Sequence, residues 1–178
     1  YRKDLLLYYP YHSFDHFTHW LYEAVHDPAT KEIMITQYRV AENSAVINTL
    51  ISAAQNGKKV TVFVELTARF DEEHNLATAE LMQRSGIHII YSIPGMKVHA
   101  KVALVLREGG SVADVPSFAY ISTGNFNEAT ASVYADFGLF TSNPEIVGDL
   151  QRLFRYLQDR NGIPYFSRLL VPPFNLID

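Results

Sequence analysis

The sequence predicts an α/β protein: a three-layer α/β/α domain built on a mixed, mostly parallel sheet. Two observations lead to this prediction. Strand and helix patterns alternate through the first half of the chain, and several strands followed by one last helix fill the second half. The chain has 178 residues, of which 48% are hydrophobic and 19% charged, enough for one globular core.

The predicted elements follow from periodicity and from helix start and stop signals. The predicted strands are 5–9, 32–38, 59–66, 87–92, 98–106, 118–122 and 135–141. Ser13, Asn43 or Ser44, Asp71 and Asn143 are candidate starts for four helices, of which the first three end at Asp27-Pro28, Gly57 and Gly86. A short helix is expected after Asn127, and a mobile loop at 109–116.

The expected domain boundary lies near Gly162. Residues 1–162 carry all the predicted elements, whereas 163–178 show no regular pattern and contain Pro164, Pro172 and Pro173. The chain also begins at Tyr1 without an initiator Met. We therefore expect one domain cut from a longer protein, with a tail leading to a further domain.

Composition excludes several classes of site and partner. There is no cysteine, so disulfides and thiolate metal sites are excluded. A net charge of −4 argues against a dedicated nucleic-acid binder, whose surface would be basic. No apolar run approaches the roughly 18 residues of a membrane span, and no signal peptide or lipidation motif is present. An anionic ligand would need a local cluster of cations.

The segment Lys97-Val98-His99-Ala100-Lys101 is a candidate for nucleophilic chemistry. His99 and Lys101 are two residues apart on a predicted strand, so their side chains leave the same face. A neutral imidazole can attack phosphorus while an ammonium group neutralises the phosphoryl oxygens. Taken alone, however, this spacing is more typical of a histidine and a lysine on a solvated edge strand.

A turn and a carboxylate downstream complete the candidate site. The turn Ser122-Thr123-Gly124-Asn125 follows a predicted strand, where backbone N–H groups and the Asn125 amide can cradle an anion. Asp136 begins the next strand and can hold the ring of His99. The alternatives are an ordinary turn with a helix cap and a solvated surface charge.

Two arginines end neighbouring predicted strands. Arg39 follows 32–38 and Arg69 follows 59–66, at the strand ends where ligands collect in open α/β sheets. Guanidinium groups suit phosphate oxygens. The acidic run 71–73 beside Arg69 leaves a salt-bridge role open.

The spacing of His99, Lys101, Asn125 and Asp136 resembles one half-site of the phospholipase D superfamily. One departure is clear: the superfamily's Asp five residues after the Lys is replaced by Leu106. Four longer strings also resemble the large bacterial polyphosphate kinase family over about 4–157. They are LLYYPYHSFDHF, YRVAENSAVINTLISAAQNGKKVTVFVELTARFDEE, GMKVHAKVALVLRE and STGNFNEATASVYADFGLFT.

The resemblance implies a fold like one half of phospholipase D and a transferase that exchanges phosphate between ATP and polyphosphate. His99 matches the family's autophosphorylated histidine, Tyr134 a tyrosine that contacts the nucleotide, and Arg39 and Arg69 a magnesium–phosphate site. Because arginine cannot ligate Mg²⁺, both would act through phosphate oxygens. The remaining histidines match no catalytic position.

The resemblance also implies partners: ATP or ADP, polyphosphate, the other domains of the parent chain and a second copy of the parent, with no nucleic acid. It implies a cytoplasmic location and leaves peripheral membrane association of the parent open. Two other functions stay open from the residues alone. One is a phospholipase D-type phosphodiesterase or nuclease, and the other is a module that binds polyanions without catalysis.

Overall fold

The computed structural model describes residues 3–41, 43–65, 72–92, 95–108 and 116–176 of the chain. The seven strands are β1 (Leu5–Tyr9), β2 (Thr30–Gln37), β3 (Lys59–Val64), β4 (His88–Tyr91), β5 (Lys101–Arg107), β6 (Phe118–Ser122) and β7 (Asp136–Thr141). The five helices are α1 (Asp15–His26), α2 (Ala45–Gln55), α3 (Glu72–Arg84), α4 (Glu128–Ala131) and α5 (Pro144–Asp159). None of the described helices is long and apolar enough to span a bilayer.

All seven strands form one sheet, in the order β1-β7-β6-β5-β2-β3-β4. The pairs β2–β3 and β3–β4 are parallel. The other four pairs, β1–β7, β7–β6, β6–β5 and β5–β2, are antiparallel. The prediction of a mixed sheet is confirmed, but its "mostly parallel" part is wrong. In the residues that the structure describes between β5, β6 and β7 there is no long helix, and parallel neighbours need a crossover of a dozen or more residues.

Helices cover both faces of the sheet, which confirms the three-layer α/β/α prediction. Apolar side chains of α1, α2 and α3 pack with one face, around Phe17, Leu50 and Val62. On the other face α5 packs with Leu104 and Ala119. The sheet therefore buries apolar side chains on both sides and holds its strand ends in fixed positions.

The helix boundaries show which start signals operate. Ser44 and Asn143 cap α2 and α5 as predicted, through bonds from the amides of Ile47 and of Ile146 and Glu145. Helix α1 has Phe14 at its N-cap position, one residue after the predicted Ser13, whose hydroxyl accepts the amide of Asp15, the first residue of the helix. The predicted cap Asp71 and most of the predicted loop at 109–116 lie outside the described residues.

The described part of the tail, up to residue 176, has no helix or strand, as predicted, yet it is packed. Phe166 is buried and joins the core beneath α5. Asp149 on α5 accepts the backbone amides of Ser167, Arg168 and Leu169. One buried carboxylate thus fastens the tail to the helix and makes it a wall of the second face.

Candidate active site

The segment that carries His99 lies at the edge of the sheet where β5 begins. The predicted strand at 98–106 starts later than expected, at Lys101, so His99 precedes the ladder. One side chain from β2 and one from the residue that follows β3 fix this segment. Thr36 Oγ1 donates to the Ala100 carbonyl at 2.8 Å, and Glu65 Oε2 accepts the Val98 amide at 3.2 Å. The backbone around His99 is therefore held although it lies outside the sheet.

Lys101 and His99 form a direct pair. His99 is exposed, whereas Lys101 is 5% exposed. Lys101 Nζ lies 2.9 Å from both ring nitrogens of His99 and 2.8 Å from the His99 carbonyl oxygen. The ammonium group is thus equally close to both ring nitrogens. An attacking nitrogen and a cation for phosphoryl oxygens stand side by side.

The environment shifts both titrations downward. Although the His99 side chain is exposed, partial desolvation by its neighbours, then the charges of Lys101 and Lys97, lower its pKa. Burial is also the main reason that the pKa of Lys101 falls to about 8; Asp136 opposes this change and Lys97 adds to it. His99 is consequently neutral near neutral pH, as a nucleophile must be, while most Lys101 side chains keep their charge.

Asp136 lies near this pair but is held by another residue. It begins β7, and its Oδ1 accepts the Thr123 hydroxyl at 2.7 Å. The expected hydrogen bond, in which the ring of His99 would donate to Asp136, is not formed between these two described residues. Asp136 acts on the site through its charge, which favours the ammonium form of Lys101.

The turn after β6 brings its groups to the same edge, with a different use of its amides. The Thr123 amide donates to the Phe137 carbonyl and the Gly124 amide donates to Ser122 Oγ. Neither amide is therefore free to bind an anion, in contrast to the prediction. Asn127 caps α4 by accepting the Thr130 amide. The Asn125 side-chain oxygen is buried and has no hydrogen-bond partner. This oxygen is an acceptor, so only the amide nitrogen of Asn125 could donate to an anion.

The remaining predicted residues differ in how they are placed. Arg39 is two residues beyond β2, which runs antiparallel to β5, so it lies at the edge where His99 lies. Tyr134 is 62% exposed and precedes β7 by two residues. Arg69 lies outside the described residues. The structure therefore puts His99, Lys101, Asn125, Asp136, Arg39 and Tyr134 on one edge of the sheet.

Two side chains that sequence reasoning missed contact this edge. The Tyr38 ring lies 5.0 Å from the His99 ring, centroid to centroid, at an interplanar angle of 82°. Glu65 is 1% exposed and holds the Val98 amide. Both residues directly follow an apolar strand, and that position was the available signal.

A cavity of about 910 Å³ opens beside His99. Lys97, His99 and Lys101 lie at one side of it, and α5 and the tail form an apolar wall that includes Leu153 and Phe174. The edge of the sheet is thus concave, with its cations gathered at one side.

The donor set does not fit a metal ion held by protein side chains. Mg²⁺ prefers oxygen ligands in octahedral geometry. Among the described residues, no three histidine, aspartate or glutamate side chains cluster closely enough to hold a metal ion. We therefore assign Mg²⁺ no direct ligand in these segments.

Comparison with known proteins supplies the family. The model of the polyphosphate kinase C-terminal domain 1 matches residues 1–162. The chain is 46% identical to polyphosphate kinase of Salmonella typhimurium over 173 residues, 97% of this chain and 25% of that protein. It is 45% identical to the Escherichia coli K12 enzyme over the same shares. The chain thus spans about a quarter of the length of these relatives.

Solved structures agree. The crystal structure of polyphosphate kinase from Porphyromonas gingivalis superposes with a TM-score of 0.82 at 54% identity, covering 95% of this chain and 28% of that one. Nuc of Salmonella typhimurium, a phospholipase D family member, superposes with a TM-score of 0.65 at 18% identity, covering 93% of this chain and 99% of Nuc. The second match shows the phospholipase D-like fold. The chain belongs to the polyphosphate kinase family, as the first of the C-terminal domains that the family's models define.

Proposed function

We propose that this chain is one half of the site of an ATP:polyphosphate phosphotransferase, with His99 as the group that carries the phosphate. The observation that supports this proposal best is the pair of Lys101 and His99, in which a buried ammonium lies 2.9 Å from an exposed imidazole. Membership in the polyphosphate kinase family supplies the substrates.

The proposed reaction has two balanced steps. In the first, a neutral His99 nitrogen attacks the terminal phosphorus of ATP, the bond from that phosphorus to the bridging oxygen breaks, and ADP leaves. In the second, a terminal oxygen of polyphosphate attacks the phosphohistidine, the P–N bond breaks, and the chain is one phosphate longer. Each step reverses, so the site also forms ATP from ADP and polyphosphate.

The chain's own groups serve these steps through charge and position. Lys101 must leave the imidazole to meet the phosphoryl oxygens, and the side-chain NH2 group of Asn125 would donate to the same oxygens. Asp136 favours the charged form of Lys101, and once it releases Thr123 it can orient the His99 ring. Arg39, Arg69 and Tyr134 would hold the nucleotide and the polyphosphate. Mg²⁺ would enter bound to phosphate oxygens.

The site is proposed to be shared with other parts of a parent protein. Three quarters of each relative's length lies outside the match, and Lys97 and Lys101 lie at one side of an open cavity. The isolated chain should therefore bind polyanions yet turn over slowly. Assembly of the parent with a second copy, and a cytoplasmic or peripheral membrane location, are carried over from the family alone.

The test of the carrier role is phosphohistidine formation. Parent protein incubated with γ-labelled ATP and Mg²⁺ should acquire acid-labile, alkali-stable label, and His99→Gln should abolish it. His88→Gln is the matched control, since His88 lies on the edge strand β4 and should leave the label intact. Label that persists in His99→Gln would assign the carrier to another residue.

The test of the shared site is a comparison of rates. ATP formation from ADP and polyphosphate is measured at equal molarity for the isolated chain and for the parent. Turnover by the chain within about tenfold of the parent, roughly 1.4 kcal/mol in barrier, would contradict a shared site. Hydrolysis of a phosphodiester by the chain would instead favour phosphodiesterase activity.

A further inference from the structure

Tyr38 contacts each reactive group of the His99 segment. Besides its edge-to-face contact with His99, its ring has Lys101 Nζ 5.2 Å and Lys97 Nζ 5.7 Å from its centroid. Both distances are within the roughly 6 Å range of cation–π attraction. One aromatic ring therefore touches the imidazole and both neighbouring ammonium groups.

The two ammonium groups need such a partner. In the described part of the chain neither Lys97 nor Lys101 forms a salt bridge, and each lowers the pKa of His99 through its charge. Like charges gathered around one imidazole repel one another. Asp136 attracts Lys101 through its charge, and the negative face of the Tyr38 ring attracts both ammonium groups without adding a full charge that would compete with phosphate.

The position of Tyr38 is itself fixed. Asn75, which is 1% exposed, donates from Nδ2 to the Tyr38 carbonyl at 2.9 Å and to the Glu65 carbonyl at 3.2 Å. The amide of Glu65, the residue that follows β3, donates to the Gln37 carbonyl at 2.9 Å. The backbone at Tyr38 is thus tied to both α3 and the end of β3, which fixes the point from which the ring projects.

We propose that Tyr38 is a positioning residue of the phosphate site, whose ring face gathers Lys97 and Lys101 around His99 before a polyanion arrives. This inference rests on the proposed function for the identity of the ligand, but its geometry does not. The ring holds the cations at low ordering cost, and the incoming phosphate oxygens then take them over. The hydroxyl group has no part in this role.

The experiment changes the electrostatic potential of the Tyr38 ring face and keeps the shape of the ring. Tyr38 is replaced by Phe and, through amber suppression, by 3,4,5-trifluorophenylalanine, whose face attracts cations poorly; Tyr38→Leu removes the ring. The dissociation constant for tripolyphosphate is measured on this chain by following the imidazole NMR signals of His99, assigned with His99→Gln. Tyr22→Leu is the matched control, since the Tyr22 ring also contacts a histidine ring, that of His26, 4.2 Å apart at 38°, but lies on α1, outside the cavity beside His99.

We expect Tyr38→Phe to bind tripolyphosphate within about twofold of wild type, and the trifluoro variant to bind about fivefold more weakly. Tyr38→Leu should match the trifluoro variant and also lose the ring-current shift of the His99 signals. Equal affinity across the Phe and trifluoro variants, or tighter binding without the ring, would overturn the proposal. Because the fluorinated ring keeps its shape, that comparison stands even where Tyr38→Leu unfolds.

Failure of this inference and failure of the proposed function are distinguishable. If His99 does not become phosphorylated but fluorination still weakens tripolyphosphate binding, the proposed reaction is wrong and the role of Tyr38 stands. Equal dissociation constants for the Phe and trifluorophenylalanine variants, together with normal phosphohistidine formation, would contradict the role of Tyr38 and leave the proposed reaction standing. If wild-type chain binds no tripolyphosphate, unchanged His99 ring-current shifts in Tyr38→Leu overturn the contact, and altered shifts support it.

Discussion

Asp149 and Lys101 are both buried charged side chains, at 0% and 5% exposure, yet their surroundings differ in kind. Asp149 accepts bonds from three successive tail amides, from the Ser167 hydroxyl and from Arg152. Burial acts to raise its pKa, but these bonds outweigh burial and lower it. Lys101 meets a ring and a carbonyl of one exposed residue, and burial lowers its pKa.

The difference separates a structural charge from a functional one. A saturated carboxylate stabilises the fold and has no capacity left for a ligand. A buried ammonium whose partner is an exposed imidazole costs desolvation and stays available to an incoming anion. Asp149 thus holds the tail, whereas Lys101 remains available to a substrate. Substitutions at these two positions should therefore have different effects on stability and on binding.

The largest expected effect is on stability at the tail. Asp149→Ala leaves three backbone amides of the tail without their acceptor, and we expect it to lower the free energy of unfolding by about 3 kcal/mol. Urea denaturation of the chain measures this. Glu145→Ala is the control in the same region, because its pair with Arg168 is exposed and its removal should cost less than about 1 kcal/mol. Equal losses in both variants would contradict the role given to Asp149.

The second prediction compares a glycine-to-alanine substitution beside Asp136 with one in α5. A Cβ at Gly124 would lie 2.6 Å from Asp136 Oδ2 and 2.9 Å from its Cβ, so Gly124→Ala must displace Asp136 and should cost about 1–3 kcal/mol. A Cβ at Gly148, inside α5, meets the Arg152 side chain at 3.5 Å, an ordinary contact. Gly148→Ala should stabilise the helix by about 0.5–1 kcal/mol. Thermal unfolding of both variants would show opposite signs, and equal signs would refute the crowding at Asp136.

A smaller effect is expected from pH. Because the folded-state pKa of Lys101 is about 8, its charge is present below that pH and lost as pH rises through it. The part of the tripolyphosphate affinity that depends on Lys101 should weaken roughly tenfold between about pH 7 and about pH 9. Lys101→Arg, which keeps its charge, should flatten this profile. An unchanged profile in that variant would mean that another group titrates.

The same shift has a consequence for stability with a definite sign. Between about pH 8 and the ordinary pKa of 10.5, the unfolded chain binds a proton at Lys101 that the folded chain lacks. Stability contributed by this group therefore rises with pH across that window.

The smallest expected effect is the stability change on removing the functional charge. Lys101→Met keeps most of the buried aliphatic stem and leaves no buried charge without a partner, because His99 is exposed. The free energy of unfolding should change by less than about 1 kcal/mol, in contrast to Asp149→Ala. Tripolyphosphate binding should weaken at the same time. A loss of several kcal/mol on urea denaturation would make Lys101 a structural residue.

Sequence patterns predicted the elements well where side-chain period and turn signals act locally. β1 and β6 have the predicted bounds, and Ser44 and Asn143 cap their helices as expected. The direction of β5, β6 and β7 was predicted poorly, although their short connections exclude parallel crossovers. β5 begins late because Glu65 and Thr36 occupy the backbone groups of 98–102.

The candidate site shows a similar division. Motif spacing brought His99, Lys101, Asn125 and Asp136 to one edge of the sheet. It could not predict that Thr123 holds Asp136, or that Tyr38 faces both lysines, because contacts between residues far apart in the chain depend on strand order. The Tyr38–Lys101 contact exists because β2 pairs with β5.

The pairing of β1 with β7 gives the chain an order of assembly. Tyr9 lies opposite Asp136 in that pair, so a residue near one end of the chain flanks a site residue more than a hundred positions later. Contacts across such separations close slowly, since the intervening chain must first be ordered. During synthesis β1 must wait until β7 has left the ribosome, while β2, β3 and the helices around them can already pack. We expect the β1–β7 pair, which contains Asp136, to be the last part of the domain to form. We also expect it to be the first part that is lost when the chain is shortened.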